Sequence, residues 1–304
     1  MTEFRRVKLS TGSTLNVALD GPADATPIIL LHGFPESHRT WREIAPRLRD
    51  RFRLIMPDQR GFAGSDRPQE VEAYKTAATV DDLFALADAL SIDRFALVGH
   101  DWGGAVAWAA AIRSDPRVTR LAIVNSPHPF VFQKSLIENS EQRAASQYIN
   151  AFRAPGMEAM IEHKGFDWFF ERTFSGHVDL ALIPEAEKRQ YIAEWSQPGA
   201  LTAMLNWYRA SPLLVPPPGV TVPLPDALLR LSKRIRIPTL VVWGMRDKAL
   251  LPVQLEGLSE VVDDPQVVRL PGAGHFAPWE APDEVAAALA PFLAGEAVAT
   301  AAPQ

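Results

Sequence analysis

An aspartate stands where this chain would present a nucleophile. In "LVGHDWGGAVAW" (97–108) an apolar strand pattern runs into Gly99, His100, Asp101, Trp102 and Gly103, and a helical pattern follows. Glycines on both sides let the backbone turn tightly without Cβ clashes. The same turn with serine at its centre, Gly-x-Ser-x-Gly, is a known way of exposing a nucleophile between a strand and a helix. The N–H groups and dipole at the start of the helix favour negative charge at position 101. Taken alone, Asp101 is equally well a helix cap. Asp247 in "VVWGMRDKALLP" lies just past another apolar strand pattern, and His275 in "LPGAGHFAPWEAP" follows a strand and a Gly-rich turn. Singly, one is a loop acid and the other is one of seven histidines. Their order carries more: nucleophile, acid, histidine, each beyond the carboxyl end of a strand, where α/β sheets gather their sites.

A carboxylate nucleophile selects its own chemistry. Serine attacks an acyl carbon, whereas aspartate attacks a saturated carbon, displaces a leaving group and is left as an alkyl ester. His275, oriented by Asp247, then activates water against the carboxyl carbon of Asp101 itself. Two N–H groups are placed to stabilise the resulting oxyanion: Phe34 in "LLHGFPE" (30–36) and Trp102. The electrophile is then an sp³ carbon, as in an epoxide or an alkyl halide. An epoxide leaves as an alkoxide and needs a weak acid, whereas a halide needs only N–H donors. Asp58, at the end of "FRLIMPD" (52–58), is the rival acid, but its place in the order is wrong. Glu36 reads as a solvated surface acid rather than a functional one. His32, His100 and His128 read as structural: His32 bracing the loop at 30–36, His100 pointing away from Asp101, His128 fixing a chain entry. Arg60, Ser65 and Asp66 read as loop scaffolding.

These residues need a sheet to hold them. "RRVKLS" and "TLNVAL" read as a hairpin, and 27–33, 52–58, 95–100 and 120–127 as strands. The apolar runs suit strands buried on both faces, and helical patterns at 76–90 and 103–116, the latter stopped by Pro116, make this a parallel sheet with crossover helices. From 128 to 230 the chain is aromatic-rich and helical, with "MEAMIEHKGFDWFFERTF" and "GALTAMLNWYRA" as typical segments. "VPPPGVTVPLP" (215–225) reads as a stiff connector. Strands return at 238–244 and 266–272, and 282–293 is a last helix. The division is a core of 1–127 and 231–304, carrying a helical cap at 128–230, with a frayed tail from Gly295.

Composition sets outer limits. The chain has 304 residues, 47% hydrophobic and 22% charged, enough for a large core. A net charge of −5 does not suit nucleic acid. With no cysteine there is no disulfide, thiolate nucleophile or Cys-based metal site, which fits a cytoplasmic location. No signal-like N-terminus and no apolar run near the ~20 residues of a membrane span are found.

"HGFPE", "PDQRGFAGSD", "GHDWGG", "NSPHP", "LNWYR" and "GAGHFAPWEAP" occur in this order. With them the chain, from about residue 4 to 295, resembles the α/β-hydrolase superfamily and, within it, the epoxide hydrolases. The resemblance implies a mostly parallel eight-stranded sheet flanked by helices with an inserted helical cap. It implies conversion of an epoxide to a vicinal diol through an ester on Asp101, with no cofactor and no metal. The partners are then a small apolar epoxide and water. By the same resemblance the cap tyrosines Tyr148 and Tyr208 hold the epoxide oxygen; the other reading is that they only pack, with their hydroxyls at a rim. Phe34, Trp207 and Phe130 are expected to touch substrate. Trp168, Phe169, Phe170, Trp195 and Phe152 divide between pocket lining and cap packing. The alternative is a haloalkane or haloacid dehalogenase with the same nucleophile. Phe34 stands where many haloalkane dehalogenases have a halide-binding Asn. Trp102 and Gly103 replace the arginines that bind an acid substrate, although Trp102 and Trp207 remain as N–H donors for a halide. Some relatives place the acid after the strand at 120–124; here that position is Asn125, which favours Asp247. A receptor that keeps the fold without catalysis is the third reading.

Overall fold

The computed structural model describes residues 2–226, 228 and 233–298. Strands β1 (Glu3–Lys8) and β2 (Thr14–Asp20) form the expected hairpin. After them come β3 (Thr26–Leu31), β4 (Phe52–Pro57), β5 (Phe95–His100), β6 (Val118–Val124), β7 (Thr239–Gly244) and β8 (Gln266–Leu270). They make one eight-stranded sheet in the order β1-β2-β4-β3-β5-β6-β7-β8. β1 and β2 run antiparallel to their neighbours, and the other pairs are parallel. This is the fold class expected from the sequence.

Parallel strands need cover on both faces, and the continuous apolar runs supply two faces at a period of two. Helix α1 (Ala45–Leu48) lies on one side; α2 (Thr76–Ala89) and α3 (Trp102–Arg113) lie on the other. Ile29, Leu31, Leu97, Leu121 and Val241 pack with Leu83, Val106 and Trp108 of α2 and α3. Their neighbours Ile28, Leu30, Ala96, Val98, Ala122 and Val242 pack on the opposite face with Leu48 and with Leu289 and Phe292 near the C-terminus. The helical pattern expected to reach Pro116 ends at Arg113, and Ser114 turns left-handed with φ +59°. The physical reason is that Pro116 bars its predecessor from helical geometry.

Between β6 and β7 the chain is helical: α4 (Pro129–Glu138), α5 (Ser140–Ala145), α6 (Gln147–Arg153), α7 (Met157–Lys164), α8 (Phe166–Phe174), α9 (Glu185–Trp195) and α10 (Ala200–Ala210). The stretch 157–174 is two helices, because Gly165 at φ +88° separates them. Residues 215–225 carry no helix or strand. The junction at 230 and 231, and the tail from 299, lie outside the described residues. Among the bonds that tie this block to the loops after β3 and β4, Tyr191 Oη donates to Glu36 at 2.9 Å, Trp195 Nε1 to the Pro35 carbonyl at 2.7 Å and Trp207 Nε1 to the Arg60 carbonyl at 2.9 Å. The chain closes with α11 (Leu258–Val261), α12 (Ala277–Glu280) and α13 (Pro282–Ala294).

The turn from β5 into α3 depends on close backbone approach. A Cβ on Gly103 would lie 2.2 Å from the Leu31 carbonyl oxygen, and one on Gly99 would lie 2.5 Å from the Gly103 carbonyl oxygen. Backbone cannot yield as a side chain can. Gly103→Ala should therefore destabilise the protein by about 1–3 kcal/mol, read as an earlier midpoint in urea unfolding; an unchanged midpoint would contradict this packing.

Candidate active site

Asp101 caps α3 in a conformation that L-residues rarely adopt, φ +48° and ψ −120°. Ser126 Oγ holds its carbonyl at 2.7 Å. The side chain thereby enters the groove at the end of β3, where a Cβ on Gly33 would collide with it at 2.3 Å. Asp101 Oδ1 accepts the Phe34 N–H at 2.7 Å, and the Trp102 N–H bonds the same carboxylate. The Phe34–Pro35 peptide bond is cis. Burial raises the Asp101 carboxyl above its usual range, against the pull of His275 and the two N–H groups.

His275 reaches this carboxylate from the loop after β8. A Cβ on Gly244 would lie 2.1 Å from the Gly274 carbonyl oxygen, so a glycine at the end of β7 lets the two loops touch. His275 Nδ1 bonds Asp247 Oδ2 at 2.8 Å, and Nε2 lies 3.8 Å from Asp101 Oδ2. Asp247 is held on every side. Its Oδ1 accepts the N–H groups of Ala249 and Leu250, each at 2.9 Å, and its Oδ2 also accepts Asn125 Nδ2 at 2.9 Å. Burial works against a charged Asp247, but His275 and these donors outweigh it and hold the carboxyl below its usual range. Burial likewise works against a charged imidazole, yet Asp247 and Asp101 outweigh it and raise His275 to about 9.

Asp58 belongs to a separate network. Its Oδ1 bonds His38 Nδ1 at 2.7 Å and its Oδ2 accepts Asn16 Nδ2 at 2.7 Å. Asn125 has a part that the residue's type alone did not reveal: it donates to Asp247 while its Oδ1 accepts the Gly244 N–H at 2.9 Å. Glu36 departs from expectation. It is buried at 1% exposure, bonded to Tyr191, with Oε2 3.9 Å from His100 Nε2. Burial pushes its carboxyl up to about 7. Its partner Tyr191 lies on α9, far along the chain, so local sequence shows a loop acid only. His32 Nε2 accepts the Gln59 N–H at 2.9 Å, His100 Nδ1 donates to the Val124 carbonyl at 3.0 Å and His128 caps α4.

Tyr148 of α6 and Tyr208 of α10 stand over Asp101, their ring centroids 6.1 Å apart. Tyr208 meets Phe34 and Trp102 edge-on at 5.0 and 5.1 Å. Burial raises both phenols far above their usual range, so both stay protonated. Phe34 is on the cavity wall together with Phe152, Trp168 and Phe169. Trp207 and Phe130 are not brought to it. Successive helical residues point about 100° apart, so with Tyr208 facing the cavity, Trp207 turns away and packs between Phe62 and Trp102. On α4 the cavity-facing residues are Pro129, Phe132 and Gln133 rather than Phe130. Arg172, His177 and Lys248, also on the wall, were not singled out by type or motif. Among the described residues no group of three or more His, Asp or Glu is arranged to hold a metal, and no helix is long and apolar enough to cross a membrane.

A family model for the alpha/beta hydrolase fold matches residues 26–282. Epoxide hydrolase 3 of Xenopus tropicalis is 33% identical over 88% of this chain and 71% of its own. Epoxide hydrolase A of Mycobacterium tuberculosis is 31% identical over 94% of this chain and 96% of its own. A solved structure from a study of novel epoxide hydrolases in metagenomes from hot environments superposes with a TM-score of 0.89. It is 46% identical and covers 97% of this chain and 100% of that one.

The two carboxylates facing His275 act on its charge together. Asp101→Asn should therefore lower the His275 pKa from about 9, as followed by NMR of the imidazole against pH. An unmoved titration would show that Asp101 does not act on the ring.

Proposed function

The chain belongs to the α/β-hydrolase fold family and, within it, to the epoxide hydrolases, and from that premise we propose that it opens an epoxide to a vicinal diol through an ester on Asp101. The observation that carries this reading is the asymmetry of one carboxylate. Oδ1 accepts the Phe34 N–H at 2.7 Å, while Oδ2 faces the His275 ring, at 3.8 Å. Oδ2 is then the attacking atom and Oδ1 the atom that later bears the oxyanion.

In this reading the helical block acts as a cap that brings two weak acids over the nucleophile. Asp101 Oδ2 attacks one ring carbon, the bond from that carbon to the ring oxygen breaks, and the oxygen takes a proton from Tyr148 or Tyr208. Buried phenols hold their protons tightly until that moment. The tyrosinate regains its proton from the His275 imidazolium. Esterification has meanwhile removed the Asp101 charge that helped to keep His275 protonated, so the ring now becomes a base. His275 takes a proton from water as the water oxygen attacks Asp101 Cγ. The oxyanion forms on Oδ1 against the N–H groups of Phe34 and Trp102. It collapses with cleavage of the Cγ–Oδ2 bond, and the departing oxygen takes the remaining water proton. Asp101 is again a carboxylate, His275 again an imidazolium, and the diol has formed.

A halide in place of the epoxide draws less support. Of the two indole donors that a halide could use, Trp207 already donates to the Arg60 carbonyl at 2.9 Å.

His275→Ala should trap the ester. Mixed with styrene oxide, quenched in acid and weighed intact, this variant should gain the mass of the whole epoxide, located on Asp101. No adduct, or an adduct elsewhere, would contradict the proposal. In the same background, Tyr148→Phe with Tyr208→Phe should slow adduct formation by about 10²–10⁴-fold, the usual worth of a positioned acid. An unchanged rate would leave the tyrosines as packing residues.

A further inference from the structure

The carboxylate that attacks lies at a junction of two cavities. Each measures about 690 Å³, and each alone is large enough for a drug-sized ligand. Among the described residues their walls share Asp101, Tyr148 and Tyr208 and no other. The first arm lies under α6, α7 and α8, with Met157, Trp168 and Phe169 on its wall. The second runs along α3 over Ala105, Ala109 and Ile112 and beneath Phe132 of α4. Ala105 and Ala109 are one turn apart on the same helix face and are partly exposed between buried neighbours, and their small side chains leave this arm open.

The arms differ in charge. Apart from Asp101 itself, every residue on the second arm is neutral among the described residues. The first arm carries Arg172 from α8 and Lys248 from the loop after β7, on two separate elements that converge on one opening. Both cations are exposed, and neither has an ion-pair partner among the described residues. Both also lie close enough to act on His177, whose imidazole is held down to about 4 by burial first, then by His275, and to a smaller extent by Lys248 and Arg172.

Resting on the epoxide reading, we infer that the preferred substrate is a 1,2-disubstituted epoxide, with an apolar substituent in the arm along α3 and an anionic group on the substituent that reaches Arg172 and Lys248. The geometry of attack requires the division. With the ring oxygen at the tyrosine pair and Asp101 opposite, the two ring carbons lie on either side of that axis, so their substituents leave in different directions. A terminal epoxide fills one arm only and forgoes the apolar burial offered by the other. The two cations, on a chain of net charge −5, mark one arm for an anion.

The test compares kcat/KM for diol formation by the whole protein from styrene oxide, trans-stilbene oxide, its 4-carboxylate and the methyl ester of that carboxylate. Wild type should prefer trans-stilbene oxide to styrene oxide by about tenfold or more, and the carboxylate to its ester by at least about threefold. Ala109→Trp should bring the first ratio down by about tenfold. Arg172→Ala with Lys248→Ala should abolish the second ratio, and added salt should weaken it in wild type. Equal turnover of all four substrates, or a preference for styrene oxide, would overturn this inference and leave the epoxide reading intact. A carboxylate disfavoured against its ester would overturn the anionic arm. No diol from any substrate would overturn the epoxide reading, and this inference with it. The wild-type ratios decide the matter even where a variant fails to fold.

Discussion

A carboxylate buried at the end of β5 has few ways of staying charged, and the bond from the Phe34 N–H to Asp101 Oδ1 is the one around which the site is built. It requires the loop after β3 to lie against the turn after β5, which only glycine permits at positions 33 and 103. It requires Asp101 to adopt a positive φ, a strain of about 1–3 kcal/mol. A hydrogen bond to a charged group contributes about 1.5–3 kcal/mol, so the N–H groups of Phe34 and Trp102 together can offset that strain. β3, β5 and β6 sit side by side in the sheet, and both of these N–H groups come from its carboxyl edge. The neighbouring strands serve the same purpose at the next position. β7 and β8 end where a glycine lets their loops touch, and Asp247 and His275 meet there at 2.8 Å.

Charge is distributed so that one event alters the whole site. Asp101 and Asp247 approach His275 from opposite sides of the ring, and together they keep it protonated despite burial. Esterifying one of them removes that balance. In the proposed route the same carboxylate therefore serves as nucleophile and as the switch that turns its neighbour from acid to base. Glu36, His100 and Tyr191 lie behind the ring, outside this exchange in the proposed route; His100 sits 5.1 Å from His275, ring to ring.

Much of the framework was legible because it is local. Continuous apolar runs such as Phe95–His100, buried throughout, announce parallel strands, and glycines around Asp101 announce the turn. What local patterns do not carry is the identity of distant partners. Glu36 looks like a surface acid until Tyr191, from another part of the chain, covers it. Trp207 and Tyr208 are adjacent in sequence, and only the packing of α10 decides that the tyrosine faces Asp101 while the tryptophan bonds the Arg60 carbonyl. Phe130 and Phe132 exchange places on α4 for the same reason. The helical pattern over 157–174 hides a break that a single glycine makes. The cations of the first cavity, Arg172 and Lys248, belong to no motif, and only the fold places them together.

The central claim is that an oxygen of the enzyme, not of water, enters the product in each turnover. One turnover in oxygen-18 water, with enzyme in excess over epoxide, tests it directly. The account predicts a first diol free of label and a peptide containing Asp101 heavier by one oxygen-18, because water adds to Asp101 Cγ and Oδ2 departs with the diol. A labelled first diol with unlabelled Asp101 would mean that water attacks the epoxide itself, and would contradict the ester and the role given to Asp101.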